Sequence, residues 1–119
     1  MAQEEIGRRV ELGWLAAFYG PLLTENQRRV LSLHCDEDMS LAEIAAATGV
    51  SRQGVHETIA RAAEKLTAME GKLHLAERFR RMEDGLLRCR EALRSGRTDE
   101  AGAALDALIR LEQEESNGL

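Results

Sequence analysis

Aromatic side chains are nearly absent from this chain: one Trp, one Tyr and two Phe stand among 119 residues. Proline occurs once, at Pro21, and β-branched residues are scarce. Strands draw on Val, Ile, Thr and aromatics, so the composition excludes a sheet protein. Ala, Leu, Glu and Arg, the strong helix formers, dominate instead, and the fold class this implies is all-α. The only two cysteines, Cys35 and Cys89, lie far apart and in no C-x-x-C pair, which excludes a disulfide framework or a zinc ribbon and leaves reduced thiols as the expectation. His34 beside Cys35 makes no metal site either, because adjacent helical positions diverge by about 100°. No long apolar run exists. The longest, "LGWLAAFYGPLL" from Leu12 to Leu23, is too short to cross a bilayer and is interrupted by Gly20-Pro21. Glu4, Glu5 and Glu11 in front of it do not suit a secretory signal, so a cytoplasmic protein without membrane insertion is expected. Basic charge is short as well: 16 Lys+Arg face 21 Asp+Glu, a net of −5.

What is present is helical punctuation. From Glu4 to Phe18, Ile6, Val10, Trp14, Ala17 and Phe18 recur at helical spacing and predict the buried side of a first helix. It should stop at "YGPLL", where the residue before proline leaves the α region. Thr24 with Gln27 three residues on reads as a capping box opening a second helix, with Val30, Leu31 and either Leu33 or His34 inward. "DEDM", Asp36 to Met39, is the next turn. Ser40 with Glu43 caps a third helix that Gly49 closes, and Ser51 caps a fourth whose inner residues are Val55, Ile59, Ala62, Ala63 and Leu66. The helical pattern runs on past a possible break at Gly71 to Gly96. Thr98 then caps a last helix with Ala101, Ala104, Leu105, Leu108 and Leu111 on one side. The tail from Glu112 is expected to fray. A helix-turn-helix domain over residues 1–70, its core about 40–66, followed by a helical extension over 71–119, is the organisation this predicts.

The stretch 40–66 carries the most information. A helix-turn-helix needs small residues at the crossing, a permissive turn and a β-branched residue after it. Ala45, Ala46, Gly49 and Val50 meet these needs. The outer face of the second helix begins Ser51, Arg52, Gln53, then His56, Glu57, Ala60 and Arg61. Ser51 at a helix N-terminus suits a phosphate, Arg52 a phosphate or guanine, and Gln53 an adenine. Against this, residues 24–66 hold five basic side chains and seven acidic ones, while phosphate neutralisation provides most nucleic-acid affinity. A scaffold reused for protein contact stays open. The extension is segregated by charge: Lys72 to Arg97 nets +4 and Thr98 to Leu119 nets −5. Pairing of the two helices as a hairpin is the first reading; an arginine face meeting phosphate is the second.

The stretch from Leu23 to Leu66 resembles the region-four domain of sigma factors. With "FYGPLLTENQ" (Phe18 to Gln27), "SLAEIA" (Ser40 to Ala45), "SRQGVHETIAR" (Ser51 to Arg61) and "EGKLHL" (Glu70 to Leu75), the chain resembles the YlxM family of helix-turn-helix proteins over about Leu12 to Met82. That resemblance implies a sigma region-four-like all-helical fold and a regulatory role in the signal recognition particle pathway. It also implies Ser51, Arg52, Gln53, His56 and Arg61 as the recognition surface. As a nucleic-acid-binding module the chain would be helped by Arg28 and Arg29, or by the cluster Arg78 to Arg81. Gly54 stands where alanine is commoner, which loosens the recognition helix by up to ~1 kcal/mol, and His56 where tyrosine is commoner.

No catalytic constellation is found. Asp36, Glu37 and Asp38 lack the spacing of a calcium loop, and no phosphate-cradling glycine loop or H-E-x-x-H occurs. No enzyme activity, cofactor or metal is expected. The partners expected are nucleic acid (DNA or the particle's RNA), the particle's proteins, and a second copy of the chain, since leucines are left over from a core of this size. An operator-specific transcription regulator is the remaining reading. Trp14 and Phe18 read as core anchors, or with Tyr19 as a dimer contact.

Overall fold

The computed structural model describes residues 2–117. They form six α-helices and a 3₁₀ turn, with no strand among the described residues: α1 (Ala2–Tyr19), the turn (Gly20–Leu22), α2 (Glu25–Cys35), α3 (Leu41–Thr48), α4 (Arg52–Leu73), α5 (Leu75–Arg94) and α6 (Thr98–Asn117). The chain divides into two compact units, Met1–Ala76 and Glu77–Leu119.

Side-chain caps set the helix starts of the first unit. Thr24 accepts from the Gln27 amide at 3.1 Å while the Gln27 side chain accepts from the Thr24 amide at 3.1 Å. Ser40 and Glu43 repeat the box at the head of α3, both bonds again 3.1 Å. These hydrogen bonds, the backbone one first, hold the Glu43 carboxyl below its ordinary value. Ser51 accepts from the Gly54 amide at 3.0 Å and so starts α4. Gly49 ends α3 with φ 76°, a backbone that costs an ordinary residue about 1–2 kcal/mol. Each cap satisfies an amide that the helix cannot.

α1, α2 and α4 pack on one another, and α3 lies across α4 and α2. All five residues expected on the inner face of α4 are buried, as are Val30 and Leu31 of α2 and Ile44 of α3. The expectation for α1 is corrected. Ile6, Val10 and Ala17 are exposed, and the buried residues are Leu12, Leu15 and Tyr19, with Trp14 and Phe18 partly buried beside them. Both sets obey the helical period. Apolar residues ring this part of α1, so periodicity had no means of choosing between them. Trp14 and Phe18 meet edge to face at 5.2 Å, as core anchors do. Tyr19, 2% exposed, is not available to a dimer contact.

Two further corrections concern the turn and the long helix. Ala45 packs on the core, but Ala46 is exposed and Val50 is 42% exposed. Val50 lies over Gly54 instead: a Cβ added there would stand 2.7 Å from Val50 Cγ1. The helix breaks at His74 (φ 55°), not at Gly71. The break is held by one side chain from afar and one from the preceding turn. Tyr19 Oη donates to Glu70 Oε1 at 2.6 Å and accepts from the Leu75 amide at 3.1 Å, and the Ala76 amide donates to Glu70 Oε1 at 3.0 Å. The first amides of α5 are thereby capped, which a break at Gly71 could not achieve. Burial, then the Glu70 hydrogen bond, raises the Tyr19 phenol above its ordinary value and keeps it a donor.

In the second unit, α5 and α6 form the expected antiparallel hairpin. Gly96 turns the chain at φ 74°, Arg78 pairs with Glu112 at 2.7 Å, and Ala92, Ala101 and Leu108 are buried. The Leu108 side chain presses on Gly85, where a Cβ would collide with it. Leu105, expected inward, is 45% exposed. α6 continues to Asn117, past the point at which the tail is expected to loosen; Gly118 and Leu119, on which that expectation also falls, lie outside the described residues.

Candidate nucleic-acid interface

α3, Gly49 and α4 present one continuous outward surface. Because Val55, Ile59, Ala62, Ala63 and Leu66 take the inner face of α4, its opposite face must point to solvent. Ser51, Arg52, Gln53, His56, Glu57 and Arg61 are all exposed there. Arg52 and His56 share one line along the helix; Gln53, Glu57 and Arg61 share the next. Among the described residues neither Arg52 nor Arg61 is in an ion pair, and Glu57 does not pair with Arg61 one turn away. Two guanidinium groups unpaired among the described residues therefore flank a single carboxylate.

The supporting arginines divide. Arg29 is exposed on α2 and unpaired among the described residues. Arg28 Nε donates to the Gly20 carbonyl at 3.2 Å and lines a cleft of about 400 Å³ between α1 and α2 that no α4 residue reaches. Of the Arg78 to Arg81 cluster, Arg78 is held by Glu112 and Arg81 by Glu77 at 2.6 Å, both within the second unit.

His56 is brought together with residues the sequence did not place beside it. It lines a second cleft, of about 360 Å³, with Arg8, Arg9, His34 and Ser40. Arg9 pairs with Asp38, whose backbone is left-handed at φ 54°. Burial, ahead of the neighbouring arginines, lowers His34 below its ordinary value, and its Nδ1 lies 3.3 Å from the Met39 carbonyl oxygen. The adjacent Arg8-Arg9 was the only available signal, and nothing in helical period says that α1 passes beside α4. Burial also raises the Cys35 thiol, so it stays protonated at neutral pH. No helix among the described residues is long and apolar enough to cross a membrane.

Two capped helices joined by a left-handed glycine, the second buried on one side and polar on the other, define a helix-turn-helix protein. The family model described as "Putative helix-turn-helix protein, YlxM / p13 like" matches residues 6–100. The chain belongs to this family, UPF0122. It is similar to the UPF0122 proteins of Clostridium botulinum (42% identical over 86 residues, 72% of this chain and 79% of the relative) and Symbiobacterium thermophilum (45% over 91 residues, 76% and 85%). The relative from Halalkalibacterium halodurans is 36% identical over 108 residues, 90% of this chain and 99% of its own.

Proposed function

We infer that this is a cytoplasmic regulatory protein of the signal recognition particle pathway that binds nucleic acid, duplex DNA or the particle's RNA, through the outer face of α4. It acts by binding rather than catalysis. The observation that carries this reading is the pair of unpaired, exposed guanidinium groups, Arg52 and Arg61, on a rigidly backed helix. Ser51 and the helix N-terminus address a phosphate, and Gln53 a base edge. Arg29 adds a phosphate contact. With residues 24–66 net acidic, binding is salt-sensitive and modest: three cationic contacts lose about 40-fold in affinity over a fourfold rise in salt. Arg52→Ala should abolish binding without altering the helical content. Wild-type protein that binds neither polymer at low salt would remove the reading.

A second reading has its own support. α6 carries six acidic residues against one arginine, a charge suited to docking on a basic protein such as the particle's GTPase or its receptor. Capture of those proteins would then persist after nuclease treatment and be indifferent to Arg52→Ala. Self-association fits the same unit: Leu86, Leu105 and Ile109 are about half exposed around a groove of about 450 Å³. We assign it to a second copy, because these apolar side chains are left over from a core of this size and would be covered by the same face of another chain.

A further inference from the structure

We propose that the cleft between the start of α1 and the flank of α4 binds a nucleic-acid phosphate, with Arg8 and Arg9 as its cationic walls. This rests on the nucleic-acid reading of α4 and extends the interface to a helix outside the helix-turn-helix. The chain is acidic overall, yet among the described residues no acidic side chain lines this cleft, while two arginines and two histidines do. Arg8 is exposed and in no ion pair among the described residues. Arg9 has one, Asp38, and that pair has an informative form. The Arg9 side chain is 27% exposed and the Asp38 side chain 82%, so the cation is lodged in the protein while the anion stands in water. Asp38 also holds a left-handed backbone that non-glycine residues rarely adopt. Its carboxylate acts as a displaceable stand-in for a phosphate oxygen.

The position is consistent with a strand running beside the groove that α4 enters. His56 belongs to both surfaces, on the outer face of α4 and in the cleft wall. Leu12 and Ile59, both buried, line the same cleft and limit water around the half-buried Arg9, which strengthens its attraction for an anion. His34 is occupied at Nδ1 by the Met39 carbonyl and supplies shape, leaving the charge to the arginines.

The test measures fluorescence anisotropy of fluorescein-labelled DNA and RNA duplexes of one random sequence with the full chain across a salt series. Asp38→Asn removes the competing carboxylate and keeps a residue type that tolerates the left-handed backbone. It should tighten binding about twofold to fivefold, the range of an exposed ion pair. Arg8→Ala should weaken binding and lower the slope of log affinity against log salt by about 0.9 on DNA and by a comparable single contact on RNA. A gain of affinity in Asp38→Asn cannot come from misfolding, so the proposal stays decidable if Arg8→Ala proves unstable. Wild-type affinity and slope in both variants, with Arg52→Ala still abolishing binding, would overturn the cleft and leave the α4 reading intact. Failure of the wild-type chain to bind either duplex would overturn both.

Discussion

Tyr19→Phe removes a single oxygen from the most constrained polar site of the first unit. That oxygen donates to the Glu70 carboxylate at 2.6 Å and accepts from the Leu75 amide at 3.1 Å, on a side chain only 2% exposed. A hydrogen bond to a charged group contributes about 1.5–3 kcal/mol. The Leu75 amide belongs to a residue 40% exposed and can turn to water, so its loss adds little. Ala76 continues to donate to Glu70. The expected destabilisation is therefore about 1.5–3 kcal/mol, or roughly 6–24 °C in Tm for a domain of this size. Urea unfolding followed by the fluorescence of Trp14, the only tryptophan in the chain, reports on the first unit alone. Glu70→Gln and the double variant complete a cycle in which the two changes should be strongly non-additive. A loss below about 0.5 kcal/mol, or an additive cycle, would refute the capping role assigned to Tyr19.

His34, its imidazole held below the ordinary value by burial, binds its proton more readily unfolded than folded. Stability should fall as pH drops below about 6.5, and melting curves between about pH 7.5 and 5.5 should show a flatter dependence in His34→Gln. Gly54→Ala should lose stability although alanine favours helices, because the gain of about 1 kcal/mol is outweighed by the collision with Val50; adding Val50→Ala in urea titrations should restore it. Leu105→Glu combined with Ile109→Glu should shift light-scattering mass to the monomer at micromolar concentration while circular dichroism keeps the helical signal. An unchanged mass would place self-association elsewhere.

How far the sequence spoke depended on whether a feature is local. The capping boxes at Thr24 and Ser40, the glycine turn at Gly49 and the inner face of α4 each involve residues within a few turns of one another, and all were legible from spacing. The buried side of α1 was not, since Leu12, Leu15 and Tyr19 compete with an equally periodic set and only the packing of α2 and α4 decides between them. The break at His74 was invisible for the same reason: its caps come from Tyr19 and Glu70, the former more than fifty residues away. Gly71 attracted attention as a helix breaker, yet glycine within a helix needs no break unless something else accepts the freed amides. For the candidate interface, the α4 residues could be named from type and order, whereas Arg8, Arg9 and Asp38 enter only once α1 is seen beside α4.

The central claim is that α4 binds nucleic acid through Arg52 and Arg61. Its most direct test titrates wild-type protein and Arg52→Ala against labelled duplex DNA, the particle's RNA and the particle's GTPase at about 50 and 200 mM salt, the range over which phosphate contacts weaken measurably. The account predicts binding of a polynucleotide at the lower salt, at least about 40-fold weaker at the higher, and absent in Arg52→Ala. Binding to the GTPase alone, equal at both salts and in both proteins, would contradict it.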